Sequence, residues 1–217
     1  MSTLAIMKAR IASELRRTNI TSQIADAINT AINQLEAERW YFNESRDFTF
    51  NTVDGQDIYD GDDSAFIPRI LKFDYVKIAQ GDNIFTLGVE PPERIEWLNQ
   101  NSTSRGMPLS YCYYGEQIRL SYVPDTAYEI RVAALVKMPA PADDTEANNP
   151  WMVKAEKLVR SYAKWELYSN VLMDPDKALM FSPENPTSPT AIAMRNLKNR
   201  TNDLTQQGGY LVTPTCW

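Results

Sequence analysis

The chain has 217 residues, 43% hydrophobic and 23% charged, which is enough apolar content to bury a core and an ordinary charge share that argues against disorder. Its 22 Lys+Arg stand against 28 Asp+Glu, a net charge of −6. That balance disfavours tight nucleic-acid binding through counterion displacement but is compatible with a surface past which DNA slides.

Histidine is absent, which excludes His-based triads and dyads and most zinc and transition-metal sites. Cys112 and Cys216 lie far apart in the sequence, match no metal-ligand spacing, and read as free thiols in a reducing compartment. No basic segment precedes an apolar stretch near Met1, and the longest aliphatic run is Val132–Val136. Neither a signal peptide nor a membrane span is expected, so the sequons at Asn19, Asn43 and Asn101 carry no meaning.

Leu4, Met7, Ile11 and Leu15 recur at helical spacing and predict a helix over 3–17. Thr18 to Ser22 offers hydroxyl caps for a second helix, with Ile24, Ile28, Ile32 and Leu35 on one face and Asp26 in its first turn. That helix is expected to end in Trp40, Tyr41 and Phe42, packed antiparallel to the first. From Arg46 the period becomes two: Phe48 and Phe50 alternate with Thr49 and Asn51, and Asp54-Gly55 makes a turn. Further strands are expected over 70–78, 84–89, 109–114, 117–122 and 128–136. A short helix over 93–99 interrupts them, and Gly115-Glu116 turns a hairpin. This spacing suits an antiparallel sandwich or small barrel.

Asn149-Pro150 caps a helix whose stripe is Trp151, Leu158, Tyr162, Trp165 and Leu172, and which stops near Asp174-Pro175. Pro183, Pro186 and Pro189 predict a non-helical stretch, after which Thr190 caps a last helix with Ile192, Leu197 and Leu204. The fold class is therefore α+β: a discontinuous α-helical platform, with two N-terminal and one or two C-terminal helices, and an inserted antiparallel β domain. The expected boundaries are 1–44 plus 149–206 for the platform, 45–138 for the β domain, 139–148 for a linker and 207–217 for an extended tail.

No reactive constellation stands out. Cys112 lacks a base. Ser161 and Lys164 match S-x-x-K without its companion elements, at a helical spacing where neighbours meet by chance. Asp54, Asp57, Asp60, Asp62 and Asp63 invite calcium but break the EF-hand order, so a solvated acidic turn is the simpler reading. Tyr111, Tyr113, Tyr114, Tyr122 and Tyr128 near Arg119 and Arg131 have the residue types for base stacking, but under a net negative charge they read as core or protein contact. No catalytic, metal or cofactor residue is assigned.

One pattern is familiar. Ala5-Ile6-Met7-Lys8-Ala9-Arg10-Ile11-Ala12, then Ile24-Ala25-Asp26-Ala27-Ile28-Asn29, then Glu38-Arg39-Trp40-Tyr41-Phe42-Asn43-Glu44 running into Phe48-Thr49-Phe50 resemble head-to-tail adaptor proteins of short-tailed bacteriophages. The match returns at Tyr114-Gly115, Gln117-Ile118-Arg119-Leu120, Pro124-Asp125, Trp151-Met152, Leu158-Val159-Arg160 and Ala163-Lys164. After Asp174-Pro175 similar proteins continue as Ala- and Glu-rich helix, where this chain has three prolines and Gly208-Gly209.

The resemblance implies a non-enzymatic virion subunit, made in the host cytoplasm. It implies a homo-oligomeric, dodecameric ring that binds the portal protein and a tail nozzle or tail tube protein, passes DNA without gripping it, and needs no membrane or cofactor. Partner contact is assigned to Trp40, Tyr41 and Phe42 and to Tyr210, Leu211, Val212 and Trp217. Alternatives are a tail-completion or stopper protein, or a weak tail-associated cell-wall hydrolase resting on unassigned carboxylates.

Overall fold

In the computed structural model, which describes residues 2–101 and 105–206, the N-terminal periodicity resolves into α1 (Leu4–Leu15) and α2 (Thr21–Leu35). Thr3 caps α1 by accepting from the Ile6 N–H at 3.4 Å, and Arg16 ends it in a left-handed conformation, φ 53°. Met7 and Ile11 are buried from α1, and Ile24, Ile28, Ile32 and Leu35 from α2. None of the hydroxyls between Thr18 and Ser22 caps α2: the capping position falls on Ile20, which is itself buried, so apolar burial sets the start in place of a cap hydrogen bond. Asp26 consequently lies beyond the first turn.

Nor does α2 run into the aromatic cluster. It stops at Leu35, and the chain doubles back so that the Trp40 indole N–H donates to the Leu35 carbonyl at 2.9 Å.

The chain divides into two compact units: residues up to Phe42 with those from Met138 on, and Asn43–Lys137. The second unit comprises β1 (Glu44–Asn51), β2 (Ile58–Tyr59), a 3₁₀ turn (Ile67–Arg69), β3 (Ile70–Gln80), β4 (Asn83–Thr86), β5 (Gly88–Val89), α3 (Pro92–Asn101), β6 (Ser110–Tyr114), β7 (Gln117–Leu120) and β8 (Glu129–Val136). They form two four-stranded sheets, ordered β1-β8-β3-β4 and β2-β7-β6-β5. Side chains of the two sheets meet at Phe73–Tyr111 and Phe50–Tyr59, ring centroids 5.2 and 5.1 Å apart. Of the two expected architectures this is the sandwich.

Every strand pair is antiparallel except β5–β6, which is parallel. The strand expected over 84–89 is two strands, because the chain leaves one sheet after Thr86, buries Leu87 and joins the other at Gly88. Gly115 and Glu116, both at positive φ (60° and 61°), turn the β6–β7 hairpin. β8 lies between β1 and β3 and is buried on both faces from Val132 to Val136, so its alternation fades where a central strand has no solvent side.

The rest of the helical unit is built on one repeated device, a capping residue followed by proline. Asn149 accepts from the Trp151 N–H at 3.1 Å and opens α4 (Pro150–Val153), and α5 (Glu156–Glu166) follows, widening into a π-helical turn at Leu167–Val171. Asp174 accepts from the Lys177 N–H at 3.1 Å and opens α6 (Pro175–Phe181). Ser188 accepts from the Ala191 N–H at 3.0 Å ahead of α7 (Pro189–Gln206).

Pro175 therefore starts a helix where none was expected, since proline at the first helical position sacrifices no internal hydrogen bond. The C-terminal region holds four described helices, not one or two. Thr190, expected to cap the last of them, instead donates its hydroxyl to the Phe181 carbonyl at 2.6 Å.

Trp40 and Trp151 are the largest fully buried side chains, joined in one core by α1, α2, α4, α5 and Leu197. Trp40→Ala is expected to destabilise the protein by about 3–5 kcal/mol through cavity formation, read as a shift in the chemical-denaturation midpoint. A shift below about 1 kcal/mol would contradict this core assignment.

Candidate interaction site

The residues that carry a possible chemistry are each engaged elsewhere. The Ser161 hydroxyl donates to the Leu158 carbonyl at 3.0 Å. The Lys164 ammonium pairs with Glu14 at 2.6 Å and lies 4.6 Å from the Phe181 ring centroid. Cys112 is buried in β6, and burial pushes its thiol pKa up, away from thiolate reactivity. Cys216 lies outside the described residues.

In the acidic turn, Asp54 pairs with Arg105 at 2.9 Å and Asp57 with Arg119 at 3.0 Å. Asp60 accepts from the Asp62 N–H and Asp63 from the Asp60 N–H, each at 3.0 Å. Among the described residues no group of three or more Asp, Glu or Cys converges as a metal site would require.

The tyrosines do not align into a stacking platform. Tyr111 and Tyr128 are buried, Tyr113 donates to the Ile67 carbonyl at 2.8 Å, and of the two arginines Arg119 pairs with Asp57 and Arg131 with Glu129.

Trp40 is 0% exposed and Phe42 5%. Both belong to the core of the helical unit, Phe42 meeting Trp151 edge to face at 5.2 Å. Tyr41 is half-buried: its backbone N–H donates to Thr201 at 3.2 Å, and its ring carries two cations, Lys154 at 5.4 Å and Arg200 at 4.7 Å. Tyr210, Leu211, Val212 and Trp217 lie outside the described residues.

One surface escaped the sequence reading. Val171, Met173, Leu179 and Met180 expose 40%, 73%, 66% and 62% of their area around the π turn and α6, beside a groove of about 530 Å3 that Trp165 and Tyr168 help line. No residue of α6 is buried. Phe181 holds α6 to the π turn, its ring stacked on Tyr168 at 5.8 Å, while Leu179 and Met180 face outward as an exposed apolar patch. The signal lies in Asp174-Pro175, a cap and first-turn proline leading into Leu179-Met180, which in sequence reads equally well as the end of the preceding helix.

Charge is also unevenly divided. Residues 43–137 carry 9 Lys+Arg against 15 Asp+Glu, and the rest of the chain 13 of each, so the whole net charge of −6 resides in the β unit.

What the described residues present is contact surface, apolar on one helix and acidic across a sandwich, which is the equipment of an assembly subunit. A protein-family model described as SU10 adaptor protein matches residues 2–209, and the chain belongs to this family of bacteriophage adaptor proteins, structural components of the virion. No curated protein matches the chain. No described helix is long and apolar enough to cross a membrane.

The tyrosine geometry has a measurable consequence. The Tyr128 hydroxyl donates to Asp125 at 2.7 Å, and that bond, with burial and the carboxylate charge, pushes its pKa up to about 12 from an ordinary 10.0. A raised pKa favours the protonated form in the folded state. The stabilisation is therefore complete below pH 10 and is lost as pH rises from 10 to 12. In an alkaline absorbance titration, Tyr128→Phe should remove the latest-ionising phenol; an unchanged late phase would contradict the assignment.

Proposed function

We propose that this chain is one subunit of a dodecameric ring in a short-tailed phage, seated between the portal and the tail nozzle or tube and continuing the channel through which DNA leaves. The exposed apolar set on and before α6 carries the reading. Solvent-facing Met, Leu and Val beside a Trp- and Tyr-lined groove have the composition of an interface core, where a few large apolar side chains supply most of the affinity.

In a ring, one face of each copy meets a different face of the next, so such a patch is covered by a neighbour or by an adjoining ring. Family membership supplies the second support, since an adaptor joins larger structures. The subunit works by presenting packing surfaces, and no bond is made or broken. Its net negative charge keeps phosphates from adhering to the channel, which a wall of fixed cations would promote.

Residues 208–217, with Tyr210, Leu211, Val212 and Trp217 behind two glycines, add a further contact to the portal or a neighbouring copy, as does half-buried Tyr41, which the buried Trp40 and Phe42 support from the core.

Mixing the purified protein with purified portal and imaging by electron microscopy is expected to show a second ring stacked on the portal; portal rings without added density would defeat the proposal. Deleting residues 208–217 should weaken docking while leaving the thermal melt unchanged. Docking equal to that of the full chain would remove the tail from the account.

A further inference from the structure

Between α5 and α7 the helical unit carries a furrow of about 310 Å3, continued toward the start of α7 by a second hollow of about 280 Å3 that shares Lys157, Ala193 and Asn196 with the first. Its floor is apolar, made by Leu158, Ala193 and Leu197. Its walls are cationic: Lys154, Lys157 and Arg200 line the first hollow, and Arg160 and Lys164 the second.

Glu156 is the one carboxylate lining the first hollow, none lines the second, and Glu156 is held by Arg10 at 2.5 Å and by Arg160 at 3.7 Å. Arg160 and Lys164 are answered by Glu14, at 3.2 and 2.6 Å. Lys154, Lys157 and Arg200 form no ion pair among the described residues, and the Tyr41 ring holds Lys154 and Arg200 in place. A chain with an acidic balance has thus gathered unanswered cations over an apolar trough.

We propose that this furrow receives the acidic turn of a second copy's β unit, residues 58–66, as the repeating contact of the ring. The chemistry of the two surfaces matches. The turn presents Asp62 and Asp63 to solvent, flanked by the exposed apolar side chains Ile58 and Phe66. Carboxylates thus face the cationic walls and apolar groups face the floor.

The turn is also ordered before contact. Asp63 accepts from the Asp60 N–H and from Gln56 Nε2 (2.9 Å), Asp60 accepts from the Asp62 N–H, and the Ser64 N–H donates to the Asp60 carbonyl (3.0 Å). Little conformational freedom remains to be lost on docking. The Asp62 carboxylate accepts no hydrogen bond among the described residues, so a partner cation meets an unshared acceptor. The contact joins unlike faces, the arrangement that propagates from copy to copy and closes as a ring. It rests on the ring reading above.

The experiment uses the full chain, assembled on portal rings and followed by native mass spectrometry at several salt concentrations. Lys157→Glu with Arg200→Glu, and separately Asp62→Lys with Asp63→Lys, should each weaken multimer formation roughly tenfold or more by placing like charges opposite one another. A chain carrying all four changes should recover assembly, and wild-type assembly should weaken as salt rises. Recovery separates a contact from misfolding, and unchanged circular dichroism of each variant supports the same distinction.

Assembly indifferent to either pair of changes, or no recovery in the fourfold variant, overturns the contact while leaving the ring intact. Retention of duplex DNA by the wild type that Lys157→Glu with Arg200→Glu abolishes would assign the furrow to nucleic acid and also overturn it. A wild-type chain that stays monomeric even on portal rings overturns the ring reading itself.

Discussion

The helical unit depends on one tryptophan. Trp151 is fully buried, its indole N–H donates to the Met138 carbonyl at 3.0 Å, and its ring meets Phe42 edge to face. Phe42 is the last residue before the chain leaves this unit, and Met138 is the first after it returns. Bringing together two points separated by that much chain costs about 4 kcal/mol in closure entropy. Burying a Trp and a Phe in one well-packed cluster offsets a loss of that size. The β unit can therefore be inserted without breaking the continuity of the helical core, to which Trp40, closed onto Leu35, also belongs.

Much of this was legible because it is local. Helical spacing placed Ile24, Ile28, Ile32 and Leu35 on a buried face, Asn149-Pro150 announced a helix start, and Gly115-Glu116 announced a hairpin. What was missed depends on distant partners. β2 is two residues long and exists because Ile58 and Tyr59 pair with Arg119 and Ile118 across the sequence. The start of α2 follows the burial of Ile20, which no local rule ranks above a hydroxyl cap. The change of sheet at Leu87 shows only once both sheets exist.

Aromatic residues posed a different difficulty. A core and an interface select the same Trp, Tyr and Phe, so Trp40, Tyr41 and Phe42 read alike in sequence. Folded, two of them close the core, while Tyr41 steadies cations on the surface. The α6 face was hidden for the opposite reason: prolines on both sides read as irregular chain, although one of them begins a helix.

The division of charge gives this adaptor its physical character. A neutral helical unit carries the apolar face and the cation-walled furrow, and the β unit carries the entire net negative charge. The two units thus offer chemically unlike surfaces for contact. The central claim, that the chain is a fixed structural part of the particle, is tested most directly by quantitative mass spectrometry of purified virions against the portal subunit. The account predicts equal copy numbers, about twelve of each for matched rings. Virions that lack the chain, or carry it well below the portal, would contradict it.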